Sequence, residues 1–242
     1  MGLIDVHRLS VGSRVQQISF SINENELLGL IGANGSGKST LLNAMAGIED
    51  YSGEIQLNKK NSHDLHRKQR AQTIGLLPQN NNSVWSLTVS DIVTLGRIPW
   101  GDENQEKVKW AMHSANVTAF AQRNIDELSG GEKSRVWLAR VLAGEPKVIL
   151  ADEPIANLDI YYQLEVMRIL KNYCSNGNAV LVAIHDLSLA ARFCDRLCLL
   201  KNGELLAFGK PEDVLTTELL QQAYGVEVEV ELKRQPPLIT VK

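Results

Sequence analysis

Four uninterrupted apolar runs stand out along the chain, each ending abruptly in glycine or polar residues. Residues 26–31 (ELLGLI) run into Gly32, 73–77 (TIGLL) into Pro78 and Gln79, 148–151 (VILA) into Asp152 and Glu153, and 179–184 (AVLVAI) into His185 and Asp186. A strand with one wet face alternates apolar and polar residues. A continuous run marks a strand buried on both faces, as in a parallel sheet covered by helices. Ligands of such sheets gather beyond the carboxyl ends of the strands. Gly32, Gln79, Asp152, Glu153 and His185 all fall at such ends.

Other segments follow other periods. Residues 7–22 alternate loosely and predict an antiparallel hairpin with Gly12-Ser13-Arg14 at its tip; residues 197–208 predict a second, turning at Lys201-Asn202-Gly203, where Asn-Gly is a strong hairpin signal. From Gln79 to Gly144 no buried-strand run occurs and helical spacing dominates. Thr88 or Ser90 can cap a helix through Ile92, Val93 and Leu95. Residues 107–120 predict a second helix, and 132–143 a third, ending at Gly144 with Pro146 just beyond. Residues 80–83 (NNNS) read as a polar loop. The pattern predicts an α/β fold in one domain: 1–78 and 145–242 form a catalytic α/β core carrying an antiparallel β subdomain, and 79–144 a helical subdomain inserted into it. A length of 242 residues suits this better than two independent domains.

Composition narrows the partners. A net charge of -3 lacks the basic footprint of a nucleic-acid binder. Three cysteines, Cys174, Cys194 and Cys198, without CxxC spacing argue against a disulfide framework or a zinc site and predict buried small hydrophobes in a reducing compartment. No signal peptide is evident at the N-terminus. The longest apolar run, 179–184, falls far short of the ~20 residues that span a bilayer. Any membrane role is therefore expected to be peripheral, through a partner.

Three motifs carry chemistry. Residues 32–39 read G-A-N-G-S-G-K-S, matching G-x-x-x-x-G-K-[ST] between a predicted strand and a helical pattern (Leu41, Leu42, Met45) that ends at Gly47. Glycines let backbone N–H groups turn inward around phosphate oxygens, and the helix N-terminus adds positive potential. Gly32, Asn34, Gly35, Ser36, Gly37, Lys38, Ser39 and Thr40 are thus expected to hold ATP. Lys38 would neutralise the β- and γ-phosphates and Ser39 would ligate Mg²⁺. The strand ending at Asp152-Glu153 supplies a second Mg²⁺ ligand in Asp152 and, in Glu153, a carboxylate able to polarise the attacking water. Leu128-Ser129-Gly130-Gly131-Glu132 opens a helix and forms another anion site. One nucleotide needs one phosphate cradle. A second implies another phosphate ligand or a second subunit that completes the first subunit's site.

The set resembles the ABC ATPase family in order and spacing along nearly the whole chain. The resemblance implies a P-loop NTPase (RecA-like) core with Walker A at 32–40, Q-loop at Gln79, signature at 128–132, Walker B at 148–152, catalytic Glu153, D-loop Asn157-Leu158-Asp159 and switch His185. It implies head-to-tail pairing of two subunits, with Ser129, Gly130, Gly131 and Glu132 of one closing over the ATP of the other. It also gives Gln79 a role at Mg²⁺ or the attacking water, His185 a γ-phosphate contact, and Asp159 a place at the subunit interface. His7, His63, His66 and His113 lack such context and are expected to be surface or structural. Three features depart from the family: no aromatic residue for adenine stacking in 12–15, Ile155-Ala156 before the D-loop, and Glu132 where Gln is commoner.

Some members of the family carry a long coiled coil, a second cassette or fused membrane helices; none is evident in this sequence, which suits a bacterial importer. Residues 87–100 and 209–216, with Tyr224-Gly225-Val226, resemble the ATPases of ferric-siderophore, haem and cobalamin importers. The resemblance implies a homodimer docked on a polytopic permease dimer, served indirectly by a substrate-binding protein, at the cytoplasmic face of the bacterial plasma membrane. Ferric siderophore is the expected cargo, haem or cobalamin the alternative, and a soluble ATP-dependent regulator the competing class. A permease helix is expected in a groove lined by residues between Gln79 and Trp100, with Leu95, Ile98 and Trp100 as anchors.

Overall fold

Strands buried on both faces organise the computed structural model, which describes residues 2–79, 86–156 and 158–241. The chain opens with a hairpin, β1 (Ile4–Val11) and β2 (Val15–Ile22), then enters β3 (Glu26–Gly32) and α1 (Lys38–Ala46). β4 (Ser52–Leu57), β5 (Lys60–Asn61), α2 (Arg67–Thr73) and β6 (Ile74–Leu77) follow. α3 (Val89–Thr94), α4 (Gln105–Ser114) and α5 (Gly130–Ala143) come next, joined by short 3₁₀ turns. The chain then returns through β7 (Val148–Asp152), α6 (Ile160–Cys174), β8 (Ala179–Ala183), α7 (Leu187–Phe193), β9 (Arg196–Lys201) and β10 (Glu204–Gly209). It closes with α8 (Pro211–Val214), α9 (Thr217–Tyr224) and a hairpin, β11 (Val228–Glu231) and β12 (Leu238–Val241).

The central sheet has the order β10-β9-β3-β8-β7-β6, all parallel except β10. A four-stranded antiparallel sheet, β2-β1-β4-β5, lies across it. β3, β7 and β8 are buried at every position, as their unbroken apolar sequences require. Alternate residues serve two cores. Leu28, Leu30, Leu150 and Leu181 join Leu41, Leu42 and Met45 of α1 and the inner face of the antiparallel sheet. Leu27, Ile31, Ile149, Val180 and Val182 join α6 and the helices of 89–143. Each fully buried aliphatic side chain contributes roughly 1.5–3 kcal/mol, so the double layer fixes the strand ends beyond which the site lies.

Among the described residues no strand lies between β6 and β7. Thr88, not Ser90, caps α3: its side chain accepts from the Asp91 N–H, and Asp91 answers in a capping box. The helix expected over 107–120 is shorter. Asn104 caps it, it ends at Ser114, and Asn116 takes φ 54°, which no α-helix continues through; 118–120 form a separate 3₁₀ turn. α5 spans Gly130–Ala143 and so starts two residues before the expected 132, because Ser129 and Glu132 form a reciprocal capping box. All three cysteines are free and buried. His63 stacks on Tyr51 and His66 caps α2, so both have structural work. No helix among the described residues is long and apolar enough to cross a membrane.

Candidate active site

The carboxyl ends of four neighbouring parallel strands, β3, β8, β7 and β6, converge on one cleft. β3 runs into the glycine-rich loop, and α1 begins at Lys38. The loop must turn where L-residues rarely go. Gly37 has φ 102°, and a Cβ there would sit 2.9 Å from the Arg14 carbonyl oxygen. The N-terminus of α1 has no side-chain cap and no acidic residue in its first turn. Its first N–H groups are therefore left for an external anion. The turn before β10 braces the loop from below, the Gly203 N–H donating to the Ser36 carbonyl at 3.1 Å.

The cleft, about 300 Å³, is lined by Arg14, Asn34, Gly35, Gly37, Lys38, Ser39, Thr40 and Glu153. Lys38 is 5% exposed and its Nζ donates to the carbonyls of Gly32 (2.8 Å) and Ala33 (3.2 Å). Burial lowers the Lys38 ammonium below its ordinary range, against the opposing pull of Glu153 and Asp152. A phosphate chain arriving here would replace those carbonyls and complete the neutralisation. Larger depressions occur elsewhere, one beside Trp110 and one beside Arg70, but neither brings together an anion cradle and carboxylates.

Glu153 is the hub of the cleft. Gln79 Nε2 donates to its Oε2 at 2.7 Å, and His185 Nε2 lies 2.5 Å from its Oε1. Residues 74, 106 and 32 positions apart in the chain thus meet through strand order alone: Gln79 follows β6, Glu153 follows β7 and His185 follows β8. Glu153 itself has φ 49°, in the left-handed region. Asp152, the last residue of β7, is 7% exposed. Burial raises its carboxyl above the usual carboxylate range; the Ser39 hydroxyl and the Lys38 ammonium pull it back, while Glu153 pushes further up. Asp152 Oδ1 and Ser36 Oγ are buried and have no hydrogen-bond partner. An orphaned carboxylate oxygen beside a serine hydroxyl and a phosphate cradle suits a hard divalent cation with oxygen ligands, and so fits Mg²⁺.

The remaining expected residues lie elsewhere. Ser129, Gly130, Gly131 and Glu132 form the start of α5, with Ser129 and Gly130 exposed. Glu132 accepts from the Ser129 N–H and hydroxyl, both at 2.8 Å, which holds its carboxyl below the usual range. Asp159 is exposed at the start of α6, its side chain making no cap. Neither group lines the cleft of its own chain. Asn157 lies outside the described residues. Among the described residues no aromatic side chain lines the cleft; Arg14 stands in the turn where one was sought, a lining residue not expected from the sequence. Its only sequence signal is its place at the tip of the first hairpin.

An apolar groove of about 420 Å³ runs between β6 and the α3–α5 region, lined by Leu76, Pro78, Leu95, Ile98, Pro99 and Val141 among others. Leu95 and Ile98 line it as expected. Trp100 does not: its Nε1 donates to the Gly144 carbonyl at 2.8 Å and its ring lies under the Arg97 guanidinium, so it braces the subdomain.

Comparison with known sequences decides the family. The ABC transporter family profile matches residues 15–156. This chain is a member of the ABC transporter family. It is an ABC ATPase, an enzyme that binds and hydrolyses ATP. Among its relatives, the hemin import ATP-binding protein HmuV of Rhodococcus jostii is 41% identical over 222 residues, covering 89% of this chain and 76% of the relative. The petrobactin import ATP-binding protein FpuC of Bacillus anthracis is 38% identical over 238 residues, covering 95% and 88%. An ATPase fold from an inward-facing structure assigned to the metal-chelate type of ABC transporter superposes with a TM-score of 0.85 at 25% identity, over 99% of this chain and 96% of that one. The dimeric structure of MJ0796, a bacterial ABC transporter cassette, superposes at 0.77 with 30% identity, over 86% and 98%.

Proposed function

We propose that this ABC ATPase energises uptake of a metal chelate, with ferric siderophore as cargo, as a homodimer docked on a polytopic permease dimer at the cytoplasmic face of a bacterial plasma membrane. A substrate-binding protein would deliver cargo to the permease; nucleic acid has no part. The observation that carries the catalytic half of this reading is the Gln79–Glu153–His185 cluster above the Lys38 cradle. Lys38 holds the β- and γ-phosphates there, and Gly32, Asn34, Gly35, Ser36, Gly37 and Thr40 wrap the phosphate chain. Ser39 and Asp152, with Gln79, would hold Mg²⁺, whose charge would offset that of the phosphates. Glu153 orients and polarises the attacking water, Gln79 positions it, and His185 contacts the γ-phosphate while holding the Glu153 carboxylate in place.

The division of the chain follows from this. Residues 1–78 and 145–242 form the catalytic core, and 79–144 the helical subdomain that carries Ser129, Gly130, Gly131 and Glu132 to the ATP of the partner. Asp159 lies at the contact between the two copies. The permease docks in the groove at Leu95 and Ile98.

Full-length similarity to a petrobactin import protein supports siderophore as cargo, and the slightly higher identity to a hemin import protein supports haem as the second reading. Proteoliposomes holding this chain and the permease encoded beside it would be loaded with binding protein and offered radiolabelled ferric siderophore or haem. ATP-dependent uptake of the siderophore alone is the expected result. Uptake of haem alone would move the cargo to the second reading, and failure to bind any neighbouring permease would sink the importer.

A further inference from the structure

The catalytic loop is strained and is held from outside by a helix that also carries the signature. Glu153 combines φ 49° with a following proline, and a residue before proline is already disfavoured in helical backbone regions. Within the loop, the Glu153 N–H donates to Ala183 and its carbonyl accepts from Ala156. From α5, the Ser134 hydroxyl donates to the Pro154 carbonyl at 3.0 Å, across 20 residues of sequence. Ser134 lies five residues beyond Ser129 on the same helix, about 7 Å along its axis.

α5 is also seated firmly at its first turn. A Cβ on Gly131 would lie 2.7 Å from the Tyr162 ring, and the Arg135 guanidinium sits 5.2 Å from that ring's centroid. Tyr162 belongs to α6, three residues after Asp159. A force on the α5 N-terminus therefore has little room to dissipate before it reaches Pro154.

We propose that Ser134 is a positioning residue whose hydrogen bond to Pro154 links occupation of the signature to the set of Glu153 in the same chain. This rests on the head-to-tail dimer. There, Ser129 touches the ATP bound by the partner, whereas Glu153 acts on the ATP bound by its own chain. The Ser134–Pro154 bond thus runs from one site to the other, and ATP engaged in the first aligns the carboxylate in the second.

The test is ATPase rate against ATP concentration for wild type, Ser134→Ala and Ser134→Thr, with thermal melts to check folding. Wild type should be cooperative. Ser134→Ala should lose about fivefold in kcat, the scale of one hydrogen bond, and its Hill coefficient should fall to 1 with KM within about twofold. Ser134→Thr, which keeps the hydroxyl, should retain both. Three results would overturn the proposal: a wild-type Hill coefficient of 1, an alanine variant with unchanged kcat and cooperativity, or equal losses in both variants. Size-exclusion of the Glu153→Gln protein with ATP separates the underlying reading. Absence of an ATP-dependent dimer removes the dimer and the link together; a dimer with unaltered Ser134→Ala kinetics removes the link alone.

Discussion

The two anion-binding helix starts of this chain contrast in how complete they are. At α1 the cradle is furnished by its own chain: a buried lysine, a buried carboxylate with an orphaned oxygen, and Glu153 between Gln79 and His185. At α5 Ser129 and Gly130 are exposed and the start is occupied by its own cap, Glu132 on Ser129; Arg123 and Arg135 bear on that carboxyl, but no buried lysine or orphaned carboxylate oxygen faces the helix start among the described residues. On the proposed reading the first is a reaction centre, and the second is a surface that gains chemistry when something carrying phosphate is pressed against it. One chain thus holds most of one site and a fragment of another, which is the arrangement expected of a part built to be completed by a second copy.

The contrast can be broken at either end. The largest effect is expected at the first: Glu153→Gln should cut ATP turnover about 10²-fold or more while leaving ATP binding intact, measured by phosphate release and equilibrium binding. Near-normal turnover would exclude Glu153 as the water-polarising group. At the second end, Ser129→Arg should lower dimer ATPase by a comparable factor, roughly 10²-fold, yet leave ATP binding to the chain's own cradle within about twofold, because Ser129 lies outside that cleft. Parallel loss of ATP binding would mean that α5 supports the cradle directly.

A smaller effect tests a third surface. Ile98→Glu places a charge in the apolar groove at a residue that is 67% exposed, so folding should tolerate it. Transport by the reconstituted complex should fall about tenfold or more with basal ATPase of the isolated subunit nearly unchanged; unimpaired transport would discard the groove as the docking site. The smallest effect concerns the brace of the helical region. Arg97 holds the Asp102 carboxyl down to about 2, so the pair stabilises above the ordinary carboxylate range and fades as pH falls toward 2. Asp102→Asn should lower the Tm by no more than about 2 °C at pH 7, and the gap from wild type should close as pH drops below 3.8. A gap independent of pH would show that the ion pair is not its origin.

How much of this was legible in the sequence depended on burial. β3, β7 and β8 could be read because both faces are buried and nothing dilutes their apolar runs. β4 escaped notice because its first residues are solvent-facing and include Gly53, and α2 because none of its residues is buried. The C-terminal hairpin alternates Val with Glu over only four residues, too short a period to read. In the site, Lys38, Asp152 and Glu153 belong to contiguous motifs that phosphate and cation chemistry dictate. The Ser134–Pro154 contact left no signal, since a hydroxyl can serve any carbonyl and a carbonyl belongs to every residue. Trp100 lies outside the lining of the groove in which the sequence placed it, because its Nε1 is spent on the Gly144 carbonyl, a contact with no sequence signal.

The most direct test of completion by a second copy is to mix two inactive proteins, Lys38→Ala and Ser129→Arg. Half of the dimers in an equal mixture are mixed, and each mixed dimer carries both lesions in one site and neither in the other. The composite arrangement predicts recovery of up to roughly a quarter of wild-type ATPase activity. With mixed dimers verified by two affinity tags, an inactive mixture would contradict it.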